Sequence, residues 1–409
     1  MKIKSIHIEN FKSIKKLDII FPLEGVLTLV GPNNAGKSNI LKAIDNIIGD
    51  SWWNKDKAEM NDFYQKDKNK IIKIKIIFDN NFVCSFDSSN QWSQYKDHRG
   101  IDIKPWNIPY GIISKGSVKE DFPCTYLEAN RNIENSMQFK TWTLMGKIAK
   151  SFNDKAQPQK TQIESKFTEV MQIFEEIPEF KNFKKDFIDF FQELQADSPY
   201  KLKVDFKAFT PLNYFKSISI LANDSTINNE FDTDITELGE GNKNLILFAL
   251  VRSYAKNFKQ DAQGILAIEE PEIYLHPQAQ KHLYSIFKEI VKGSNIQVII
   301  TTHSPCFVNT ENFNQIGIVS KSRDEGTQVK ILTKQELVDF CINTNVPSTK
   351  TSISNISEYY ATTSNYRLNE AFFSKFTILV EGETEELAIP VYLNKSGINC
   401  DTCGISIIS

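Results

Sequence analysis

The stretch GPNNAGKSN, residues 31–39, constrains the fold more than any other part of the sequence. It fits the pattern G-x-x-x-x-G-K-[ST] at every fixed position, follows the apolar run GVLTLV and precedes the helix-like ILKAIDNIIG. Such a unit binds phosphate, because the glycines let backbone N–H groups wrap an anion at the positive end of the helix. A chance match on a glycine turn is the alternative, and the flanking strand and helix disfavour it.

The side chains of this loop indicate a nucleotide held together with a metal ion. Lys37 can reach the β- and γ-phosphates, and Ser38 can hold Mg²⁺. The sequence therefore predicts ATP and Mg²⁺ as ligands. The residues assigned to nucleotide binding in this loop are Asn33, Asn34, Gly36, Lys37, Ser38 and Asn39.

A second motif, GILAIEEPEIYLHPQ at residues 264–278, is a buried strand that ends on two carboxylates. We expect Glu269 to hold Mg²⁺ through its water shell and Glu270 to act in catalysis by polarising the attacking water. Neighbouring residues on a strand face opposite ways, so both can serve only where the backbone turns. Pro271 is predicted to supply that turn.

A third strand, in IQVIITTHSP, places His303 just beyond its end. Its imidazole is predicted to contact the γ-phosphate as a catalytic residue, and capping of a loop is the alternative.

Between these motifs, ELGEGNKNLILFALVRSYA (residues 237–255) predicts a glycine-flanked turn that opens an amphipathic helix at Asn242. Gly239 and Gly241 are predicted to form a second anion-binding turn. One chain cannot easily direct both turns at one phosphate, whereas two facing chains can. This arrangement predicts a homo-oligomer.

The order of these motifs resembles the ABC-type ATPase heads of the SMC, RecF and OLD (overcoming lysogenization defect) group, in which ATP lies between two heads. The resemblance implies an α/β fold, with a P-loop ATPase head, an inserted helical dimerization domain and a partial carboxyl-terminal TOPRIM domain. Gln65, within NDFYQKD, sits where a Q-loop would lie. The matches are Gly31, Gly36, Lys37 and Ser38 to Walker A, Leu238 to Asn242 to the signature, Glu269 and Glu270 to Walker B, and His303 to the switch histidine.

The middle of the chain changes to helical periodicity. Apolar residues recur at three- and four-residue intervals in SMQFKTWTLMGKIAKSF, TQIESKFTEVMQIFEEI and FKKDFIDFFQELQ, and an extended stretch, KLKVDFKAFTP, follows. By the resemblance this block is a dimerization insert. A helical subdomain that packs only on its own core is the alternative.

The sequence FTILVEGETEELAIPVYLNKSG, residues 376–397, predicts a strand, a helix and then a second strand in GISIIS. It resembles the first half of a TOPRIM domain, and on that pattern Glu381 is a metal ligand at a strand end. Gly382 is predicted to allow a tight turn. Glu383 and Glu385 are possible contributors, although acids in a first helical turn also favour the helix dipole. No Asp-x-Asp pair follows, so we expect this chain to lack DNA cleavage.

These patterns lead to a hypothesis for the whole protein, an OLD-family ATP-dependent DNA endonuclease similar to the Gabija A component of bacterial defence against phage. DNA, a homodimer or tetramer partner and a defence-system protein are the implied partners. A RecF-like or SMC-like nucleotide-gated DNA clamp with a separate effector is the alternative. The expected segments are 1–130 and 201–345 for the two ATPase lobes, 131–200 for the insert, 346–375 for a linker and 376–409 for the partial TOPRIM domain.

Composition limits the remaining classes of function. The formal net charge is −3, so any DNA contact needs a local patch. Five lysines between residues 66 and 75 offer one, although a solvated sheet face explains them as well. The chain has no apolar run of about 20 residues, which predicts no membrane segment, and its scattered cysteines favour a reducing, cytoplasmic location. The pair Cys400 and Cys403 is a weak zinc or redox signal.

Overall fold

The computed structural model describes most of the 409-residue chain. The chain forms two compact units. The first contains residues 1–132 and 239–409, and the second contains residues 133–238. The domain boundaries expected from the sequence stay predictions. The described residues are 2–49, 53–90, 94–96, 99–103, 124–129, 144–194, 211–216, 218, 220–222, 232–257, 263–344, 346–347, 351–363 and 366–409.

The strands of the described residues are numbered in chain order. They are β1 (Ile3–Phe11), β2 (Ile14–Ile20), β3 (Val26–Val30), β4 (Lys73–Phe78), β5 (Val83–Asp87), β6 (Gln94–Lys96), β7 (Asp102–Ile103), β8 (Cys124–Leu127), β9 (Leu221–Ala222), β10 (Thr233–Asp234), β11 (Gln263–Glu269), β12 (Asn295–Thr301), β13 (Ile316–Ser322), β14 (Gly326–Ile331), β15 (Phe376–Leu379) and β16 (Ile405–Ile408).

The α-helices are numbered in the same way. They are α1 (Lys37–Ile48), α2 (Leu144–Lys155), α3 (Lys160–Glu175), α4 (Pro178–Leu194), α5 (Pro211–Lys216), α6 (Glu240–Asn257), α7 (Pro277–Gly293), α8 (Lys334–Asn343), α9 (Ile353–Thr363), α10 (Tyr366–Asn369), α11 (Glu383–Lys395) and α12 (Cys400–Cys403). No helix among the described residues combines the length and the apolar character that a membrane crossing requires.

One large sheet organises the first unit. Within the described residues it contains twelve strands, in the order β7-β6-β5-β4-β1-β2-β14-β13-β3-β12-β11-β8. The strands β13, β3, β12, β11 and β8 run parallel to one another, and the remaining pairs are antiparallel. The expected α/β fold is therefore confirmed, and the chain places the three sequence motifs on adjacent parallel strands.

The central parallel strands β3, β11 and β12 are buried on both faces, as their continuous apolar runs predicted. Leu27 and Leu29 of β3 join the large core with α1, while Thr28 on the opposite face donates a hydrogen bond to the Phe307 carbonyl. On that second side Phe287 of α7 packs edge-on against Phe248 of α6, with 5.4 Å between ring centroids.

The antiparallel part shows the alternation expected of a half-buried sheet. Lys73 and Lys75 of β4 are both exposed, with Ile74 and Ile76 buried between and beside them. Glu9 lies on the same face, with its carboxylate 3.5 Å from the Lys73 ammonium. Acids therefore accompany the lysines on this face, which favours the solvated-face interpretation over a phosphate-binding patch.

Three helices, α2, α3 and α4, occupy the predicted helical region of the second unit. Residues 130–143 lie outside the described residues, as do residues 201–210 of the predicted extended stretch, whose last residue, Pro211, begins α5. The structure differs at one break, because Pro178 begins α4 where IPEF was expected to interrupt the helices; proline is well tolerated in a first helical turn. Two exposed stacked rings, Phe183 and Phe187, lie one turn apart on α4.

The carboxyl-terminal segment forms a small β-α-β unit, as predicted. Strands β15 and β16 pair in parallel, from Phe376 with Ile405 to Leu379 with Ile408, and α11 connects them with α12. The role predicted for Gly382 is wrong, because its φ of −159° is extended backbone that any residue adopts. The stretch interpreted as a linker contains α9 and α10.

Candidate active site

The candidate site lies where the parallel strands end. Leu29 of β3 pairs with Thr301 of β12, which pairs with Glu269 of β11, and Leu127 of β8 pairs with Ile268. The residues that follow these four strands therefore meet along one edge of the sheet. This geometry brings together the glycine loop, Glu269 and Glu270, and His303.

Two glycines of the loop are fixed by close packing. Gly31 has φ of 149°, and a Cβ there would overlap the carbonyl oxygen of Val319 on β13. Gly36 has φ of 105°, and a Cβ there would overlap the Thr327 hydroxyl. Both positions exclude larger side chains, so glycine is required there for the backbone conformation that leads into α1.

A network of hydroxyl groups supports the loop from the neighbouring strands. The Asn39 amide donates to the Ser13 hydroxyl at 2.6 Å, and that hydroxyl lies 2.7 Å from the Thr327 hydroxyl. Thr327 is fully buried and donates to the Ala35 carbonyl at 2.8 Å. Asn39, predicted as a nucleotide ligand, braces the loop here, whereas Asn33, Asn34 and Ser38 are exposed at the same edge.

Lys37 is buried at the floor of this edge, with 6% of its surface exposed. Its ammonium donates to the Gly31 carbonyl at 2.7 Å and the Pro32 carbonyl at 3.0 Å, and lies 2.9 Å from His303 Nε2. Burial lowers the pKa of Lys37, and the charges of Glu270 and Glu272 oppose that effect. The cation is thus held between acceptors that an anionic ligand can replace.

His303 follows β12 and faces Lys37. Burial, and then the Lys37 charge, lower the pKa of the imidazole, which favours its neutral form. Nε2 of the neutral ring accepts the Lys37 hydrogen bond, so the ring proton belongs on Nδ1. The structure therefore joins two predicted residues, separated by 266 positions in sequence, in one hydrogen bond.

Glu269 ends β11 as a buried carboxylate, 8% exposed. The Tyr126 hydroxyl donates to its Oε1 at 2.6 Å, and the Ala129 backbone N–H donates to its Oε2 at 3.3 Å. Burial, and then the charge of Glu269, raise the pKa of Tyr126 and keep the phenol protonated. Neither donor was predicted from the sequence, because β8 carries no motif of its own.

Glu270 makes the turn at the end of β11. Its φ is +42°, in the left-handed region that non-glycine residues rarely adopt, and its N–H donates to the Thr301 carbonyl at 2.8 Å. The turn predicted at Pro271 therefore begins one residue earlier. This backbone change allows two adjacent carboxylates to follow one strand without lying on opposite faces of the sheet.

A third acid, Glu272, also belongs to this site and was missed as a functional residue. It accepts hydrogen bonds from the His303 backbone N–H at 2.6 Å and the Thr302 hydroxyl at 2.8 Å. Burial raises the pKa of its carboxyl group, against the effect of these hydrogen bonds. The motif EEPE contained a signal, since its last acid lies two residues beyond Glu270.

The glycine turn before α6 differs from its prediction. The helix begins at Glu240, two residues before the expected Asn242, because the Gly239 carbonyl already accepts from the N–H groups of Asn242 and Lys243. Gly241 thus lies in the first helical turn, where its Cβ position is 3.3 Å from the carbonyl oxygen of Tyr274. Its role at a phosphate stays a prediction.

Two other candidates lie outside this cluster. Gln65, the weak Q-loop candidate, accepts a hydrogen bond from Lys70 at 2.8 Å. Glu381 is exposed after β15, beside the exposed Glu383 and Glu385. Within the described part of the chain, no group of three or more His, Cys, Asp or Glu side chains is placed to hold a metal ion.

Comparison with known families agrees with this geometry. The family model described as AAA ATPase domain matches residues 1–121 and 113–308. The chain belongs to this AAA ATPase family. A second model, Overcoming lysogenization defect protein-like, TOPRIM domain, matches residues 372–409 beyond the AAA ATPase domain.

Individual proteins are also similar to this chain. The OLD nuclease of Thermus scotoductus is 24% identical over 433 residues, covering 99% of this chain and 76% of that protein. Endonuclease GajA of Bacillus cereus is 29% identical over 178 residues, covering 38% of this chain and 24% of GajA. A solved SMC head bound to the C-winged helix domain of ScpA is 20% identical, with a TM-score of 0.48, covering 82% of this chain and 99% of that structure. The expected resemblance to OLD-type proteins is confirmed.

Proposed function

We propose that the sheet edge binds ATP with Mg²⁺ and hydrolyses its γ-phosphate. The observation that carries this proposal is the buried Lys37 ammonium, hydrogen-bonded to His303 and flanked by the carboxylates that end β11. A buried cation at a glycine loop suits a polyphosphate, which can take the place of the loop carbonyls as its partner.

The donor set also fits Mg²⁺, which prefers oxygen ligands and commonly binds to one or two carboxylates together with substrate phosphates. Ser38 and Glu269 would hold the ion, which neutralises charge on the transferring phosphoryl group when bound. Lys37 binds the β- and γ-phosphates, Glu270 accepts a proton from the attacking water, and neutral His303 donates a hydrogen bond to a γ-phosphate oxygen. Tyr126 and the Ala129 N–H orient the Glu269 carboxylate.

Steady-state ATP hydrolysis with Mg²⁺ tests this function over a range of protein concentration. We expect Lys37→Ala and Glu270→Gln each to reduce turnover by at least about a hundredfold, as loss of one transition-state partner does elsewhere. Lys16→Ala, which alters an exposed lysine of β2, is the matched control. Turnover that survives Lys37→Ala contradicts the proposal, and tight ATP binding without turnover at any concentration favours the nucleotide-gated clamp.

For the whole protein, we propose the ATPase part of an OLD-type DNA endonuclease in bacterial defence against phage. The TOPRIM match at residues 372–409 and the similarity to nucleases named OLD and GajA support this proposal. DNA as substrate, Glu381 as a metal ligand, a partner protein and a cytoplasmic location belong to it as predictions.

Self-association is part of the same proposal, and the helical unit offers a surface for it. The hairpin of α3 and α4 exposes apolar side chains that a second copy could cover: Val170, Ile173, Phe174, Ile177, Phe183 and Phe187. We expect Phe183→Ser with Phe187→Ser to weaken self-association at least about tenfold in analytical ultracentrifugation. Ile20→Ser, at an exposed apolar residue of β2, is the control, and equal association of both variants rules this surface out.

A further inference from the structure

Glu272 connects the two loops that follow β11 and β12. Its two carboxylate oxygens accept from different groups of the second loop, the Thr302 hydroxyl and the His303 backbone N–H. The two donor–acceptor distances are 2.8 Å and 2.6 Å, so both hydrogen bonds are short. Neither group belongs to β12 itself, so these bonds act where the backbone leaves the sheet.

The surrounding hydrogen bonds show that Thr302 donates to Glu272. Thr302 is fully buried, and its hydroxyl oxygen already accepts from the Ser304 N–H at 2.9 Å. Its single proton is therefore available to Glu272. The Ser304 hydroxyl in turn donates to Gln280 of α7 at 2.6 Å, so the backbone on both sides of His303 is fixed.

The imidazole of His303 depends on this support for its position. The Nε2 atom of its ring accepts a hydrogen bond from Lys37 of the glycine loop, and its backbone N–H donates to Glu272 of the loop after β11. Both loops therefore hold His303 in place. Displacements of about 1 Å at a reacting group can change rates by about a hundredfold. Glu272 is thus placed to affect catalysis without contact to a phosphate.

We propose that Glu272 is a positioning residue for ATP hydrolysis. Its carboxylate fixes the position of the His303 imidazole relative to the glycine loop. This inference rests on the proposed ATPase function. It assigns Glu269, Glu270 and Glu272 three separate tasks: metal binding, water activation and orientation of the switch histidine.

A double-mutant cycle in kcat tests whether Glu272 acts through His303. Wild type, Glu272→Ala, His303→Ala and the double variant are compared at saturating ATP, with thermal unfolding as the check on folding. We expect Glu272→Ala to lower kcat about tenfold to a hundredfold while KM changes less than about threefold. In the His303→Ala background the same substitution should cost less than about threefold.

Glu272→Gln provides the conservative comparison and a well-folded alternative if alanine destabilises the chain. Its amide oxygen can still accept from the His303 N–H, so we expect it to recover most of the lost kcat. Equal loss of kcat with and without His303, or no loss in Glu272→Ala, overturns the proposal. If the chain shows no ATP turnover that depends on Lys37, the proposed ATPase function itself is wrong. The role inferred for Glu272 then falls with it.

Discussion

Two strand ends in this molecule carry glutamates, and they differ in what surrounds them. At the end of β11, Glu269 and Glu272 are held by donors from β8 and from the loop after β12. At the end of β15, Glu381 is exposed, and its acidic neighbours belong to its own strand-helix connection. The local sequence is similar in both places, an apolar strand followed by acids.

The difference arises from the number of neighbouring strands. β11 lies between two parallel strands, so residues from three strand ends converge on it. Among the described carboxyl-terminal residues, β15 pairs with β16, and the Ser409 hydroxyl after β16 donates to Glu386 at 2.8 Å. A carboxylate becomes part of a site when other strands supply its partners, and the motif by itself does not ensure this.

Removal of charge at the two strand ends should give the largest contrast. We expect Glu269→Gln to reduce ATP turnover by at least about a hundredfold, because the amide cannot replace a carboxylate at Mg²⁺. Glu381→Gln should leave turnover within about twofold. Both substitutions keep the side-chain volume, and steady-state hydrolysis measures both. A comparable loss in Glu381→Gln would contradict the separation of the two strand ends.

Backbone strain at the first strand end should give an intermediate effect. Glu270→Gly relieves a positive φ that Glu270→Gln retains, and left-handed backbone costs about 1–2 kcal/mol for a residue with a Cβ. We expect the glycine variant to unfold about 2–4 °C above the glutamine variant. Glu59 has an ordinary φ of −83°, so there the glycine variant should unfold at a lower temperature than the glutamine variant. Identical melting temperatures for the position 270 variants would rule out strain there.

The protonation of His303 should give the smallest effect. Because burial lowers its pKa in the folded chain, the unfolded chain binds the proton more readily as the pH falls below about 6.5. Wild type should therefore lose stability on acidification relative to His303→Gln, down to the folded pKa. Thermal unfolding between pH 7.5 and 5 measures this difference. His282→Gln, at an exposed position of α7, should follow wild type.

The sequence was informative where a motif coincides with a continuous apolar strand. β3, β11 and β12 were predicted for this reason, and the structure brings the glycine loop, Glu269, Glu270 and His303 to one edge. Tyr126 could not be predicted, because its four-residue strand has no motif and its partner Glu269 lies 143 positions away.

Local backbone geometry was harder to predict than the placement of strands. The left-handed φ of Glu270, the early start of α6 and the extended Gly382 depend on hydrogen bonds and packing that residue type alone does not specify. Proline and glycine indicated roughly where the chain turns, but the residue that makes each turn is not the one predicted.

The position of β3 in the sheet has a consequence for folding during synthesis. Its neighbours β12 and β13 begin at Asn295 and Ile316, whereas β3 itself ends at Val30. At about 5–20 residues per second, a ribosome needs on the order of tens of seconds to make the intervening chain. During that interval the apolar β3 strand has neither partner, so the nascent chain exposes an unpaired aggregation-prone segment that a chaperone could protect.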